Sequence, residues 1–155
     1  KTIKSNKISD CSKYGVYIYG KASVKTLSKN TITNTKKNGI YIKNDKIKIT
    51  MKSNKITSVG KTAIKINSKL SKKKKQTYTF APKVVSLNLT GGTMTTSASN
   101  LKKIQLKVGK KTYKKSTKAS NYIFRFKKYT KSVDSATATF TDKYKNTVTR
   151  VVSVE

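Results

Sequence analysis

The stretch Asn30-Thr31-Ile32-Thr33-Asn34-Thr35-Lys36-Lys37-Asn38-Gly39-Ile40-Tyr41-Ile42 decides how the first half of this chain folds. It is an N-x-I unit, a polar turn, and then a small residue followed by an aliphatic-x-aliphatic alternation. The same frame stands upstream as Asn6-Lys7-Ile8 with Gly15-Val16-Tyr17-Ile18, and downstream as Asn54-Lys55-Ile56 with Ala63-Ile64-Lys65-Ile66. Every matched position advances by about 24 residues, the mark of a stacked repeat array. Period-two alternation indicates strands with one buried face. Val24 to Leu27 and Ile47 to Met51 add a third apolar patch. Three short strands in so few residues leave no room for a helix, so the predicted unit is a coil of three strands. Each strand would pair in parallel with its equivalent about 4.8 Å along the axis.

Such stacking predicts ladders of equivalent side chains. Ile8, Ile32 and Ile56 would form one, Val16, Ile40 and Ile64 a second, and Ile18, Ile42 and Ile66 a third. Asn6, Asn30 and Asn54 share the inward parity of their isoleucines, so their amides would bond along the stack. Gly15 and Gly39, with Ala63, sit where a side chain would crowd the corner. Cys11 aligns with Thr35 and Val59 and reads as a packed small side chain. The register of the third patch is not fixed by its residues.

On these motifs residues 1 to about 71 resemble the right-handed parallel β-helix repeats of the pectate-lyase-like superfamily. The resemblance implies a fold shared with lyases, hydrolases and epimerases of polysaccharides, which use carboxylates and often calcium, with Lys or Arg as base in the lyases. The segment departs from that pattern, because Asp10 and Asp45 are its only acids and fall at different points of the repeat. Three coils span only about 15 Å. An uncapped first coil exposes its ladder edge. The sequence starts at Lys1 in the middle of a repeat, so the expectation is a piece of a longer protein, with further coils and any catalytic centre upstream. Failing those coils, the open N-terminal coil is expected to self-associate.

Ser68 to Lys75 breaks the repeat and ends in four lysines, read as the start of a lysine-rich linker over residues 72–81. Pro82 then opens a second domain, 82–155, that reads as all strand. The predicted strands are Val84 to Thr90, Lys103 to Val108, Lys111 to Lys115, Tyr122 to Lys128, Ala136 to Thr141 and Thr147 to Val154. Turns are expected at Gly91-Gly92, Gly109-Lys110 and Lys143 to Asn146, and the spacing indicates a β-sandwich. Val108-Gly109-Lys110-Lys111-Thr112-Tyr113 and Thr141-Asp142-Lys143-Tyr144-Lys145-Asn146-Thr147 resemble bacterial immunoglobulin-like domains, whose last hairpin often reads T-D-x-x-G-N. The resemblance implies a spacer or adhesion module. Lys145 stands where that pattern has glycine, so this hairpin is expected to bend differently.

The chain of 155 residues carries 37 basic residues, of which only Arg125 and Arg150 are arginine, against five acids, for a net charge of +32. An AT-rich genome explains lysine over arginine but not the shortage of acids. A charge this large repels itself and calls for polyanions nearby. Without histidine, and with one cysteine and scattered acids, no Ser-His-Asp or Cys-His set, zinc cluster or carboxylate pair is visible. No catalytic residue, metal or cofactor is therefore assigned. Binding is the stronger case: Tyr17 and Tyr41 occupy equivalent outward positions with Lys65 next in the column, and Tyr19 and Lys43 form a parallel column. Flat rings beside cations suit a chain of sugar acids. Tyrosine is also simply a good former of exposed strands. Specific nucleic-acid readout is not expected, for want of a groove-entering helix, an aromatic RNA-binding motif or much arginine.

The composition, rich in Thr, Ser and Asn with almost no Cys, fits a secreted or bacterial cell-surface protein. The expected function is a non-catalytic module that presents a cationic surface to acidic polysaccharide or another cell-wall polyanion. The alternative is the tail of a polysaccharide lyase or related enzyme whose catalytic coils precede Lys1.

Overall fold

The computed structural model describes residues 1–43, 47, 49–70 and 74–154, with the backbone alone for 68–70 and 74–77. Asp45, Lys72 and Lys73, singled out above, lie outside the described residues. The described chain is all strand and turn.

Nine short strands build the first half in three successive steps: β1 (Thr2–Lys4), β2 (Lys7–Ile8) and β3 (Val16–Tyr19); β4 (Thr26–Ser28), β5 (Thr31–Thr35) and β6 (Ile40–Lys43); β7 (Thr50–Lys52), β8 (Lys55–Val59) and β9 (Ile64–Leu70). Equivalent strands pair in parallel as β1-β4-β7, β2-β5-β8 and β3-β6-β9. The register aligns Ile8 with Ile32 and Ile56, Val16 with Ile40 and Ile64, and Ile18 with Ile42 and Ile66. The third patch falls into register as Ile3, Leu27 and Met51. Cys11 bridges to Thr35, and Thr35 pairs with Val59. Burial deepens away from the first step: Ile8 is half-buried, whereas Ile32 and Ile56 are sealed. A methyl group on Gly39 would meet the Ala63 carbonyl oxygen and Ile56 Cγ2, each at 2.8 Å. That is why the small residue stands at this corner.

The asparagine ladder forms. Asn6 Nδ2 donates to Asn30 Oδ1 at 3.0 Å and Asn30 Nδ2 to Asn54 Oδ1 at 2.9 Å. Each Oδ1 also accepts the backbone N–H of the preceding asparagine, at 3.0 and 3.1 Å. Asn30 and Asn54 are fully buried, so these bonds satisfy groups that water cannot reach. The residue before each asparagine, Ser5, Lys29 and Ser53, has a φ between 56° and 59°. Every step thus makes the same left-handed corner, at a conformational cost to three non-glycine residues.

Eight further strands follow: β10 (Lys74–Phe80), β11 (Lys83–Asn88), β12 (Thr93–Ser97), β13 (Leu101–Val108), β14 (Lys111–Ser116), β15 (Asn121–Arg125), β16 (Ser135–Asp142) and β17 (Thr147–Ser153). Where a lysine-rich linker is expected over 72–81, the structure has β10, paired antiparallel with β9 from Lys74↔Leu70 to Phe80↔Ile64. Tyr78 and Phe80 are buried, and their burial outweighs the repulsion of the lysine run. Strand β12 is absent from the sequence reading. Its alternation, Met94 and Thr96 inward, is carried by threonine and serine and does not register as hydrophobic.

Beyond β10, β11-β12-β15 form one antiparallel sheet, and β14-β13-β16-β17 are antiparallel neighbours in a second. Leu87, Met94 and Phe124 of the first sheet and Ile104, Leu106 and Phe140 of the second are buried in one core. Gly109, at φ 53°, makes the tight β13–β14 turn. The second sheet does not end at β17. It continues across β17–β8, which pair in parallel, into β5 and β2. The two halves of the chain thus share a sheet.

The joint copies one corner of the repeat. Lys145 has φ 64°, as Ser53 has 59°. Asn54 Nδ2 donates to Asn146 Oδ1 at 2.9 Å, and Thr147 N donates to Asn54 O at 2.8 Å, as Lys55 N does to Asn30 O. Val148 then stands over Ile56. Lys145 therefore takes the left-handed conformation that glycine favours, and the bend expected from the missing glycine is instead the bend that seats Asn146 on the ladder. The last amide, Asn146 Nδ2, donates to Asp142 Oδ2 at 2.9 Å. Asp142 is fully buried and also accepts from Tyr144 N, Asn146 N and Tyr78 Oη. Arg150 adds a clamp, donating from Nη1 to Val59 O at 2.7 Å.

Candidate functional site

The outward positions of β3 and β6 carry the tyrosines, because their neighbours Val16, Ile18, Ile40 and Ile42 take the inward ones. Parallel in-register pairing places Tyr17 beside Tyr41 and Tyr41 beside Lys65, with Tyr19 beside Lys43 and Lys43 beside Asn67. The Tyr17 and Tyr41 rings stack with centroids 5.4 Å apart and planes at 23°. That separation is the strand spacing slightly enlarged. Tyr19 stacks on Tyr17 at 5.1 Å and 15°, so the platform extends along β3 as well as across the strands. Lys65 Nζ lies 5.6 Å from the Tyr41 ring centroid, within range of a cation–π contact. Lys43 is exposed beside Tyr19.

The columns read from the sequence, Tyr17, Tyr41 and Lys65 with Tyr19 and Lys43, are therefore side by side on one face. Tyr14, which belongs to neither column, joins them, its ring 4.9 Å from Tyr17 and 5.4 Å from Tyr41. Tyr14 sits in the turn before β3, and its equivalent one step on is Asn38, so a repeat-based search for columns passes over it. Its place beside Gly15, just before β3, is the one signal that would have pointed to it.

The four rings form a shallow aromatic face. Tyr17 is 42% and Tyr19 66% exposed, so these two rings reach solvent, while Tyr14 and Tyr41 are half-buried beside them. Packing among the rings holds their orientation, so a ligand that contacts them costs little of the protein's side-chain freedom. Cations stand at the border, ready for carboxylates. What the arrangement offers chemically is stacking and charge.

The acids belong elsewhere. Asp10 is exposed, and its carboxyl is held below the usual carboxylate range chiefly by Asn34, whose Nδ2 donates at 2.6 Å, and then by Ser9. Burial, followed by Asp142, pushes the Tyr78 phenol above its ordinary range. Burial lowers the Arg150 guanidinium. Among the described residues no three of His, Cys, Asp and Glu gather at one point, and no helix is long and apolar enough to cross a membrane.

Residues 1–75 match the family model of the right handed beta helix region. The match covers the strands whose parallel ladders are described above and stops within β10. No curated protein matches the chain.

Proposed function

We propose that this chain is a non-catalytic binding module of an exported bacterial surface protein, and that its tyrosine face takes acidic polysaccharide. The observation that carries the reading is the stacked set Tyr14, Tyr17, Tyr19 and Tyr41 with Lys65 over its edge. Four clustered rings outside the core, two of them exposed and two half-buried, do little for the core, and aromatic surfaces bordered by cations suit sugar rings bearing carboxylates. The net charge of +32 draws the polymer in and raises its local concentration. Nucleic acid is the weaker reading, since any duplex meets the same charge without using the rings.

The fold reading goes with it. We take the repeat half as three coils of a pectate-lyase-like β-helix and residues 82–155 as an immunoglobulin-like β-sandwich. The parallel ladders and the Asp142 hairpin support these assignments. In this arrangement the sandwich closes the solenoid, and the solenoid presents the ligand face.

Binding of polygalacturonate, wall teichoic acid and duplex DNA over a salt series tests the function, with the Tyr17→Ala/Tyr41→Ala double variant alongside. One polysaccharide should retain affinity at high salt, and the variant should lose it about tenfold. Loss of all three ligands in parallel, with the variant equal to the parent, would leave only generic charge and sink the proposal.

A further inference from the structure

The C-terminal half closes the end of the solenoid unevenly. It lays β10 on β9 and β17 on β8, so two of the three faces receive a next strand. On the third face β7 is the outer strand, and no strand pairs with its outer edge among the described residues. The reason lies in the hairpin. Ser53 N donates to Tyr144 O just as Lys29 N donates to Lys52 O, so Tyr144 stands where the next turn's equivalent of Lys52 would be. Going backwards from Tyr144, a further turn would continue over Met51 and Thr50. Instead the chain folds away at Asp142 into β16.

The vacated path is an open cleft of about 300 Å³ that runs the length of the β7 edge, along residues 49–52. Tyr78 and Tyr144 wall it, with ring centroids 5.3 Å apart in an edge-on arrangement. Lys143 Nζ sits over both rings, 5.0 Å from Tyr144 and 5.8 Å from Tyr78. Lys52 and Lys145 stand on its border.

We propose that this cleft is a strand-addition site for an extended acidic peptide, which takes the place of the absent turn beside β7. An edge strand offers N–H and C=O groups along its length, and a peptide is the ligand that answers them in alternation. Alternate side chains of the guest enter the apolar, aromatic-walled cleft, while those between them, as carboxylates, meet the three lysines. A polysaccharide has no such ladder of donors and acceptors. Because β7 is only three residues long, the backbone bonds are few and the lysines carry much of the affinity.

The test uses a labelled octapeptide of alternating valine and glutamate, together with two versions methylated on alternate backbone nitrogens, one in each phase. Anisotropy should show one methylated peptide binding at least tenfold more weakly than the parent and the other nearly unchanged, since only one set of amides faces β7. Amide NMR signals of Thr50 to Ser53 should shift, and Lys143→Glu should weaken binding at least fivefold. The Tyr17→Ala/Tyr41→Ala variant should bind as the parent does, which separates this site from the tyrosine face. Equal affinity for all three peptides, no binding, or shifts confined to other residues would overturn the proposal. Displacement by galacturonate with the same amides shifting would do so too, and would make the cleft a sugar subsite.

Discussion

The corner at Asn54 and the corner at Asn146 have nearly the same backbone and opposite surroundings. In the first, a left-handed Ser53 leads into an asparagine whose amide passes to another asparagine. In the second, a left-handed Lys145 leads into an asparagine whose amide ends on a buried carboxylate. The repeat propagates because every amide it offers meets an identical acceptor. It stops where a hairpin supplies the same acceptor once and then turns the last donor onto Asp142. A stacked array is thus closed by copying a single corner, without copying a whole turn, and the open β7 edge is what that economy leaves behind.

Breaking the second corner should have the largest effect. Asp142→Ala leaves two backbone N–H groups, Asn146 Nδ2 and the Tyr78 hydroxyl without their acceptor. At about 1–3 kcal/mol for an unsatisfied buried group, partly relieved by relaxation, the loss should be at least about 3 kcal/mol in urea unfolding. Tyr78→Phe removes one of these donors and should cost about 1–2 kcal/mol at neutral pH. Because the folded Tyr78 phenol lies above its unfolded value of about 10, its contribution is complete below that pH and declines as pH rises through it. The gap between Tyr78→Phe and the parent should therefore narrow from pH 10 upward, and a constant gap to pH 11 would contradict the assignment.

Within the first corner the depth of the ladder can be compared. Asn54→Ala removes a buried amide bonded on both sides and should cost about 2–3 kcal/mol, whereas Asn6→Ala, at the exposed first step, should cost less than about 1 kcal/mol. Equal costs would show that the ladder draws nothing from burial. The backbone conformation shared by both corners predicts a gain: Lys145→Gly should stabilise by about 0.5–1 kcal/mol, the relief of a left-handed non-glycine residue less the added freedom of the unfolded chain. A drop in melting temperature would mean that the Lys145 side chain matters more than its φ. Smallest of all, Asn34→Ala should return the Asp10 carboxyl toward the ordinary range, followed by its NMR titration. An unchanged titration would assign the shift to Ser9.

The residues that determined their own places are those that recur. Ile32, Ile40 and Ile42 fix a strand parity, and the fixed step then dictates which neighbour each one meets, so the apolar ladders, the asparagine ladder and the Tyr17–Tyr41–Lys65 column were legible before any coordinates. Tyr14 was not, because a turn residue without a counterpart has no column to declare it. Nor was β10: four successive lysines read as a repelled, extended linker, and only the pocket for Tyr78 and Phe80 at the end of the solenoid makes that segment a strand. Asn146 and Asp142 looked like an ordinary hairpin turn, and what they do depends on Asn54, 92 residues away. Local periodicity constrains contacts made one step along the chain, whereas a contact between two unlike segments is decided by which surfaces remain unsatisfied after each has folded. Here those were one amide, two sheet edges and the open end of an apolar core.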